Sequence, residues 1–542
     1  MLLVWVHHAM VHPVFIGSPL TTSMRIPHAA AALISALVVA LAPSATAAPP
    51  SDSPEVPAGE IAKTGGANRI KGGREGDKTA DLRNSVQGRN AKNVILLIGD
   101  GMGTSEITSA RNYQYGAAGT LPGLDALPIT GEYTTFALTK DGPEKGKPDY
   151  VTDSAASGTG WATGTKTYNG AISVDLDGKP LDTILEIVQK QGFATGNVTT
   201  AELQDATPAV LTAHVTDRDC KGPKETLEKC AGNAVDNGGQ GSISEQLVNT
   251  RADISLGGGG KYFQETLTAG EYKGKTSLEV AKEVGYQLPT TAGDLNRVNN
   301  LDNPVLGVFG KGNLPVQWDK VPAAVPGGGK LPATTCRQNP DLPKDQPQLS
   351  AMTTKAIDLL VNSKKGKDKG FFLQVESASI DKQDHAADIC GQIGETIALD
   401  EAVAAALDFA RQDGNTLVIV TADHGHSSLI VPEDFDNPAA LSVAVKTTDG
   451  ATMRIMYPTA PEGESQTHTG TQVRIAAYGP GAANVSGLTD QTDNFNTIVG
   501  ALLGNKSPAA SDGPSWWVAG GIAVVAAILG AAAAFVLSRQ RT

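Results

Sequence analysis

The chain has 542 residues, of which 40% are hydrophobic, 19% charged and 5% aromatic. Glycine and proline number 61 and 31 without a G-X-Y period, which excludes a collagen-like protein, and the apolar content excludes a wholly disordered one. The formal net charge of −13 disfavours nucleic acid or an anionic lipid surface as a partner, because both attract basic proteins. The chain is therefore a large acidic globular protein, long enough for one large α/β domain.

Residues 1–48 predict a secretory signal peptide. Met24 and Arg25 supply a positive start, residues 29–41 form an apolar run, and the small residues of 45–48 resemble a cleavage site. Residues 1–23 fit no part of this pattern, so either Met24 is the true start or the leading region is unusually long. Residues 49–90 are polar and lack apolar periodicity, which predicts a flexible N-terminal arm.

Between residues 91 and 503, short apolar runs alternate with helical patterns. The runs typical of buried parallel strands are residues 94–98, 193–198, 254–256, 305–309, 371–375, 417–420 and 473–478. The clearest helical patterns are residues 181–191, 244–249, 352–362 and 395–412. This alternation predicts an α/β fold with a doubly wound, mostly parallel sheet flanked by helices. Residues 262–345 are rich in Gly and Pro and predict surface insertions.

The C-terminal region predicts a membrane anchor. Residues 504–515 form a polar spacer, and the 22 residues of 516–537 carry no charge. As a helix they would span roughly 33 Å, enough for the core of a bilayer. Residues 538–542 form a basic cytoplasmic tail, which places the rest of the chain outside. A buried Ala-rich core helix is the alternative, but an exported protein tethered to the outer face of the membrane fits the terminal position better.

The four cysteines predict disulfide bonds, because an even number in an exported chain is typical of oxidised proteins. Four cysteines allow three pairings. Cys220 and Cys230 are close enough in sequence to close a local loop, which would leave Cys336 to pair with Cys390. A zinc ribbon is excluded because no C-x-x-C motif occurs.

Carboxylate, imidazole and hydroxyl side chains follow four of the apolar runs. Ligands of open α/β sheets bind beyond the carboxyl ends of the strands, so these side chains are expected at one edge. One Asp after a strand is more often a turn former or a helix cap, but four such strand ends indicate a metal site. In chain order the side chains are Asp100, Asp205, Thr207, Glu376, Asp381, His385, Asp423 and His424.

The types of these side chains predict which metals they bind. Asp381 and His385 are four residues apart, so on a helix they share one face, as metal ligands or as an exposed ion pair. Asp423 and His424 are adjacent, and both reach one metal only at a strand-to-loop turn. Mixed nitrogen and oxygen ligands suit Zn²⁺, whereas carboxylates with a hydroxyl suit Mg²⁺.

Ser154 is the candidate nucleophile. The sequence Thr152-Asp153-Ser154 precedes small helix-forming residues, which most often marks an ordinary helix N-cap. Alternatively, Ser154 at a helix N-terminus attacks a phosphoryl group, which the backbone amides and the helix dipole favour there. Such a site also needs an arginine that grips phosphate oxygens, and Arg218 is the candidate.

Six stretches resemble the bacterial alkaline phosphatases, and the resemblance covers roughly residues 90–503. The stretches are residues 93–103 (NVILLIGDGMG), 149–171, 195–209, 370–387, 415–426 (NTLVIVTADHGH) and 468–480. In that family a serine is phosphorylated and dephosphorylated between two zinc ions, with a magnesium ion nearby. The resemblance therefore implies a homodimeric hydrolase of small phosphate monoesters.

The resemblance also assigns roles residue by residue. Ser154 matches the nucleophile and Arg218 the phosphate clamp, which Asp153 orients. Lys382 and Asp205 match positions that tune phosphate and magnesium binding, where some members have histidine; Asp and Lys favour the Zn/Zn/Mg type. The four cysteines match the family's pairs, Cys220–Cys230 and Cys336–Cys390.

Two zinc ions and one magnesium ion are implied, although cobalt can occupy similar sites. The implied ligands are Asp381, His385 and His468 for one zinc, Asp100, Asp423 and His424 for the other, and Asp100, Thr207 and Glu376 for magnesium, with Asp205 beside it. His214 and His426 match no ligand and are expected to be structural.

Two other functions compete with this one. A sulfatase or phosphodiesterase of the same superfamily is the nearer alternative, but the sulfatase motif C-x-P-x-R is absent and Arg218 favours a terminal phosphate. A catalytically inactive metal-binding or surface-binding protein is the other, and it is disfavoured because none of the mapped positions is missing.

Overall fold

A computed structural model describes Ser85 and residues 90–324, 331–435 and 437–504. The predicted signal peptide (1–48), the predicted membrane segment (516–537) and the basic tail (538–542) lie outside the described residues, as do nearly all of the arm and the spacer. Within the described part of the chain, no helix is both long and apolar enough to cross a membrane.

The strands form three sheets. In chain order they are β1 (Asn93–Gly99), β2 (Ile129–Thr134), β3 (Ala137–Leu138), β4 (Pro148–Asp149), β5 (Ala194–Glu202), β6 (Ile254–Gly258), β7 (Val305–Val308), β8 (Phe371–Ser377), β9 (Thr416–Ala422), β10 (Leu429–Val431), β11 (Leu441–Lys446), β12 (Thr452–Tyr457), β13 (Val473–Tyr478) and β14 (Gly487–Asp490). The nine-stranded central sheet has the order β14-β2-β13-β9-β1-β8-β5-β6-β7. Strands β10, β12 and β11 form a small antiparallel sheet, and β3 pairs with β4.

Helices flank the central sheet. They are α1 (Thr104–Tyr115), α2 (Ser154–Thr163), α3 (Ile184–Lys190), α4 (Ala206–Ala209), α5 (Pro223–Lys229), α6 (Ile243–Thr250), α7 (Gly260–Phe263), α8 (Ser277–Glu283), α9 (Ala292–Arg297), α10 (Leu349–Asn362), α11 (Lys364–Asp368), α12 (Ser379–His385), α13 (Ile389–Asp413) and α14 (Gln491–Leu503). All seven residues of β1 are buried, as are those of β8 and β9. Because successive side chains of a strand point to opposite faces, both faces of the sheet are covered.

The predicted α/β fold with a mostly parallel sheet is confirmed. Each of the seven apolar runs contributes a strand to the central sheet, and each helical pattern overlaps a helix. Two details differ from the prediction. Strand β13 is antiparallel to both of its neighbours, β9 and β2. Residues 262–345 are not all insertions, because β7 lies within them and pairs with β6 at the edge of the sheet.

The parallel strands place the predicted site residues at one edge of the sheet. Strands β1, β8, β9 and β5 are neighbours or near neighbours and run in the same direction. Their carboxyl ends therefore lie side by side, and the segments that follow them bring carboxylate and imidazole groups together.

Candidate active site

Ser154 is the first residue of α2, in which every residue is buried. The Asp153 carboxylate caps this helix by accepting a hydrogen bond from the Ala156 amide at 2.9 Å, so the ordinary N-cap motif is present as well. The Ser154 hydroxyl oxygen lies 3.4 Å from Asp100 Oδ1 and 3.4 Å from His424 Nε2. The hydroxyl is thus at the positive end of a helix dipole and beside two groups that sequence analysis predicted as metal ligands.

Arg218 is linked to Ser154 through Asp153, the residue that precedes the serine. Its Nη1 donates to Asp153 Oδ2 at 3.1 Å and its Nη2 to Asp205 Oδ1 at 3.2 Å. Burial alone would lower the pKa of Arg218, but Asp205, Asp153 and Asp100 outweigh burial and raise it. The guanidinium is therefore permanently charged, and two carboxylates fix its plane.

Asp205 is held by cations on both of its oxygens. Lys382 Nζ lies 3.1 Å from Asp205 Oδ2 and 3.9 Å from Asp100 Oδ2. Lys221 Nζ lies 3.5 Å from Asp205 Oδ1, the oxygen that Arg218 also contacts. Burial alone would raise the pKa of Asp205, but Lys382, Lys221 and Arg218 outweigh burial and hold it well below its usual range. Sequence analysis did not identify Lys221, because its spacing from the other residues carries no recognisable pattern.

The first predicted zinc site is assembled around Asp381. Its Oδ1 lies 3.3 Å from His385 Nε2 and 3.2 Å from His468 Nε2. The Nδ1 atoms of the two histidines face the backbone carbonyl oxygens of Gln466 and Thr152, which assigns the ring proton to Nδ1 in each. The two Nε2 atoms, 3.1 Å apart, then present lone pairs to each other. A cation between them satisfies both, and donors of tetrahedral Zn²⁺ lie at similar mutual distances, so these residues fit zinc.

His426 is also part of this cluster. Its Nε2 lies 3.2 Å from Asp381 Oδ1, while its Nδ1 accepts a hydrogen bond from the Ser427 amide at 2.9 Å. Since Nδ1 is the acceptor, the proton of the neutral ring is on Nε2, the ring atom nearest to Asp381 Oδ1. His426 is therefore placed beside a predicted ligand, where its Nε2–H can orient the Asp381 carboxylate. Sequence analysis predicted only a structural role for His426.

The second predicted zinc site combines Asp100, Asp423 and His424. His424 Nε2 lies 3.4 Å from Asp100 Oδ1 and 3.3 Å from Asp423 Oδ2. Asp423 Oδ1 accepts the amides of Gly101 and His424, which leaves Oδ2 directed at the site. Burial lowers the pKa of His424 to about 4, so the ring is neutral at pH 7 and available as a ligand. Burial and the charges of Asp381 and Asp423 raise the pKa of Asp100 well above its usual range, as expected where a cation belongs.

The predicted magnesium ligands come from three places: Asp100 follows β1, Thr207 belongs to α4 and Glu376 lies on β8. Glu376 is buried on β8, and its Oε2 accepts a hydrogen bond from the Thr199 hydroxyl at 2.5 Å. Burial raises the pKa of Glu376 to about 7, and its charge contributes to raising the pKa of Asp100. The buried Thr207 hydroxyl lies near the Glu376 carboxylate, where its contact partly offsets the effect of burial on the pKa of Glu376. Carboxylate oxygens of Asp100 and Glu376 with the Thr207 hydroxyl oxygen fit a hard cation such as Mg²⁺.

The structure brings together all of the predicted catalytic and metal-binding residues, and it separates one histidine from them. His214 contacts the Ser173 carbonyl oxygen and Glu186 instead of the site. Both predicted disulfides are present, Cys220–Cys230 and Cys336–Cys390. The first of them lies two residues from Arg218 and anchors the segment that carries it.

Comparisons with known proteins relate the chain to one family. A family model described as alkaline phosphatase matches residues 91–464 and 459–503. The chain is 58% identical over 446 residues to an alkaline phosphatase of Escherichia coli K12, covering 82% of this chain and 92% of the relative. It is 49% identical over 416 residues to a streptomycin-6-phosphate phosphatase of Streptomyces griseus, covering 76% and 90%. Among solved structures, a mutant of the TAB5 alkaline phosphatase with Mg bound in its M3 site matches with a TM-score of 0.55 and 25% identity, covering 78% of this chain and 100% of that one.

Proposed function

Because this chain belongs to the alkaline phosphatase family and is a phosphoric monoester hydrolase, we propose that it converts small phosphate monoesters to an alcohol and inorganic phosphate through a phosphoserine at Ser154. One observation carries the proposal. The Ser154 hydroxyl lies at a helix N-terminus, 3.4 Å from Asp100 and from His424, with the guanidinium of Arg218 in the same network.

Arg218 binds the phosphoryl group. Its two anchoring carboxylates, Asp153 and Asp205, each contact one Nη atom, so each Nη keeps one N–H group for substrate. A planar guanidinium donates to two phosphate oxygens at once, and the amides at the start of α2 attract the same negative charge. A terminal phosphate offers more free oxygens to this clamp than a diester does, which favours monoesters as substrates.

Two displacements then follow. Ser154 Oγ attacks phosphorus and forms the P–Oγ bond as the bond to the ester oxygen breaks, and the alcohol leaves with that electron pair and a proton. Water then attacks the same phosphorus and the P–Oγ bond breaks, which releases phosphate and restores the hydroxyl. Because each in-line displacement inverts phosphorus, the two together retain its configuration. Positioning and charge stabilisation dominate such a reaction.

Three cations complete the site in this proposal. Two Zn²⁺ and one Mg²⁺ are assigned to the ligand sets given above. The facing lone pairs of His385 and His468, and the buried Thr207 hydroxyl beside Glu376, support the assignment. When bound, such cations lower the pKa of hydroxyl groups and water and neutralise charge on the attacking and leaving oxygens. Lys382 lies near enough to the Asp205 and Asp100 carboxylates to balance part of their charge.

Location and assembly are further parts of the proposal. We propose residues 91–503 as the catalytic domain, export by the signal in residues 1–48, and attachment to the outer face of the membrane by residues 516–537. We also propose a homodimer, as the family resemblance implies. Light scattering of the purified protein tests the dimer, and fractionation of cells tests the attachment.

Trapping the phosphoserine is the decisive test. Acid quenching during turnover of a monoester, followed by peptide mass spectrometry, should find phosphate on Ser154 and none in Ser154→Ala. Ser157→Ala is the matched control, because Ser157 is buried in the same helix and its hydroxyl donates to the Asp423 carbonyl oxygen at 2.6 Å. Label on Ser154 in that control supports the assignment. Turnover without any phosphorylated serine would contradict it.

Metal dependence is tested separately. Hydrolysis of a chromogenic monoester at alkaline pH should disappear with a chelator and return only when both Zn²⁺ and Mg²⁺ are restored. Recovery with one metal alone would contradict the mixed-metal assignment, and activity that survives complete chelation would contradict any metal role.

A further inference from the structure

Four exposed lysines lie at the end of the central sheet opposite Ser154. Lys92 precedes β1, Lys364 and Lys367 belong to α11, and Lys369 lies two residues before β8. We call these four residues the lysine end. Since β1 and β8 run parallel and their carboxyl ends carry the candidate active site, their amino ends place the lysine end at the other side of the molecule.

The lysine end is rich in positive charge within an acidic protein, although Asp413 lies beside Asn93, the residue that follows Lys92. Residues 363–370 contain four lysines and a single acidic residue, Asp368, whereas the whole chain has a net charge of −13. Lys365 is paired with Asp253 at 2.8 Å. Among the described residues, none of the four lysines of the lysine end forms a salt bridge, and the Lys92 amine donates instead to the Lys367 carbonyl oxygen at 2.9 Å. Their charges therefore face solvent.

The described chain also ends beside these lysines. The Ala91 amide donates to the Ala501 carbonyl oxygen at 2.9 Å, so the end of α14 lies next to the residue before Lys92. Gly504 is also close to Asn90: a Cβ added to Gly504 would lie 3.0 Å from Asn90 Nδ2. Gly504, the last described residue, therefore lies near the lysine end. In the sequence, the uncharged segment of residues 516–537 follows a spacer whose extended length is at most about 40 Å.

We propose that the lysine end binds anionic lipid headgroups at the surface of the membrane that holds residues 516–537, and that the candidate active site consequently faces away from the lipid. The overall negative charge does not prevent this contact. Salt screens charges beyond about 8–10 Å, so the groups nearest the surface decide the interaction. Lysines near an anionic leaflet are attracted, and the spacer brings them within reach without fixing an orientation. The inference rests on the proposed membrane attachment by residues 516–537 and not on the proposed chemistry at Ser154.

Chemical labelling of the full chain tests the proposal. The protein is mixed with vesicles of phosphatidylcholine alone or with one third phosphatidylglycerol, treated with a water-soluble amine-acylating reagent, and analysed by peptide mass spectrometry. We expect labelling of the lysine end to fall about threefold with phosphatidylglycerol and to recover in about 1 M salt. Lys145 and Lys147 are exposed lysines in the segment leading to α2, and their labelling should not change.

A charge-reversed variant separates electrostatic binding from simple proximity. In the triple variant Lys364→Glu, Lys367→Glu, Lys369→Glu, the remaining Lys92 serves as the reporter and should lose its protection. The variant Lys145→Glu, Lys147→Glu is the matched control and should keep it. Equal labelling in the two kinds of vesicle overturns the proposal, whether or not the protein sediments with them. Protection of Lys92 that persists in high salt or in the triple variant overturns it as well.

Discussion

Asp205 shares two carboxylate oxygens among three cations, and Lys221 is the one that sequence analysis overlooked. Lys221 Nζ bridges Asp205 Oδ1, at 3.5 Å, and Glu202 Oε2, at 2.9 Å. Burial alone would lower the pKa of Lys221, but Asp205 and Glu202 outweigh burial and raise it, so the side chain stays charged. Since Arg218 contacts the same Oδ1, Lys221 limits how strongly Asp205 draws the guanidinium away from substrate.

Lys221→Met should therefore weaken phosphate binding. We expect KM for a monoester and the inhibition constant of inorganic phosphate to rise about three- to tenfold, with kcat changed less than about twofold. Lys221→Arg should restore most of the loss. Lys261→Met is the matched control, because Lys261 contacts Glu202 at 2.6 Å and is half exposed. Unchanged phosphate inhibition in Lys221→Met, or an equal effect in the control, would show that Lys221 has no part in positioning Arg218.

The role of His426 cannot be predicted from the types of the residues alone. Its role depends on which ring nitrogen carries the proton, and that is decided by the Ser427 amide, a backbone contact that exists only in the folded turn after β9. The predicted ligands were easier to identify, because Asp423 and His424 stand directly after a strand. A family resemblance transfers ligand positions, but it does not transfer the hydrogen bonds that orient them.

His426→Ala should lower zinc affinity at the site built on Asp381. The lost donor leaves Asp381 Oδ1 less well oriented, and removal of such an orienting partner typically lowers metal affinity about 10–100-fold. Competition with a chromophoric zinc chelator measures the affinity, and kcat at saturating zinc should largely recover. His214→Ala is the matched histidine control and should bind zinc normally. An unchanged affinity in His426→Ala would contradict the orienting role.

At the scale of elements, apolar runs predicted the buried strands well and their directions less well. Residues buried on both faces read as continuous apolar runs whether a strand is parallel or antiparallel, which is why β13 was taken for a parallel strand. The small sheet of β10, β11 and β12 was not predicted at all, because β10 has only three residues and polar residues interrupt the apolar runs of β11 and β12. The edge strand β7 was predicted from its apolar run. The Gly- and Pro-rich residues around it were nevertheless predicted to be surface insertions, although β7 adds a strand to the central sheet.

One ion pair ties helix α3 to the segment that leads to Arg218. His214 Nε2 lies 3.1 Å from Glu186 Oε1, and Nδ1 lies 3.0 Å from the Ser173 carbonyl oxygen, so both ring nitrogens face acceptors. Burial alone would lower the pKa of His214, but Glu186 outweighs burial and raises it above 6.5. Burial alone would raise the pKa of Glu186, but His214 outweighs burial and lowers it below 4.5.

These opposite shifts predict a pH window for the stability of the pair. The His214 contribution is complete below pH 6.5 and is lost as pH rises through its folded pKa, while the Glu186 contribution is lost as pH falls through its own. The free-energy penalty of His214→Gln should thus be about 1 kcal/mol larger at pH 5.5 than at pH 9, measured by urea unfolding. Glu186→Gln should show the same trend. A pH-independent penalty in both variants would mean that the pair is not charged.

At the scale of the whole molecule, buried carboxylates are concentrated at one end of the sheet, and the four exposed lysines of the lysine end lie at the other. Five buried carboxylates meet at the candidate active site, and the cations beside them there are Arg218, Lys382 and Lys221. The carboxylates are Asp100, Asp205, Glu376, Asp381 and Asp423. Bound metal ions supply the missing positive charge in our proposal, so they should stabilise the fold as well as the reaction.

Chelation should therefore lower the melting temperature, and the metal-free protein should become less stable as pH rises. Burial raises the pKa of Glu376 from 4.5 to about 7, so its cost to stability grows as pH passes from 4.5 through 7. Between pH 6 and pH 8 this amounts to about 1 kcal/mol. Differential scanning fluorimetry of the chelated protein should show that decline, and Glu376→Gln should reduce it because the amide does not titrate. Restored Zn²⁺ and Mg²⁺ should raise the wild-type melting temperature, and a chelated protein as stable as the loaded one at pH 8 would contradict the charge balance proposed for this site.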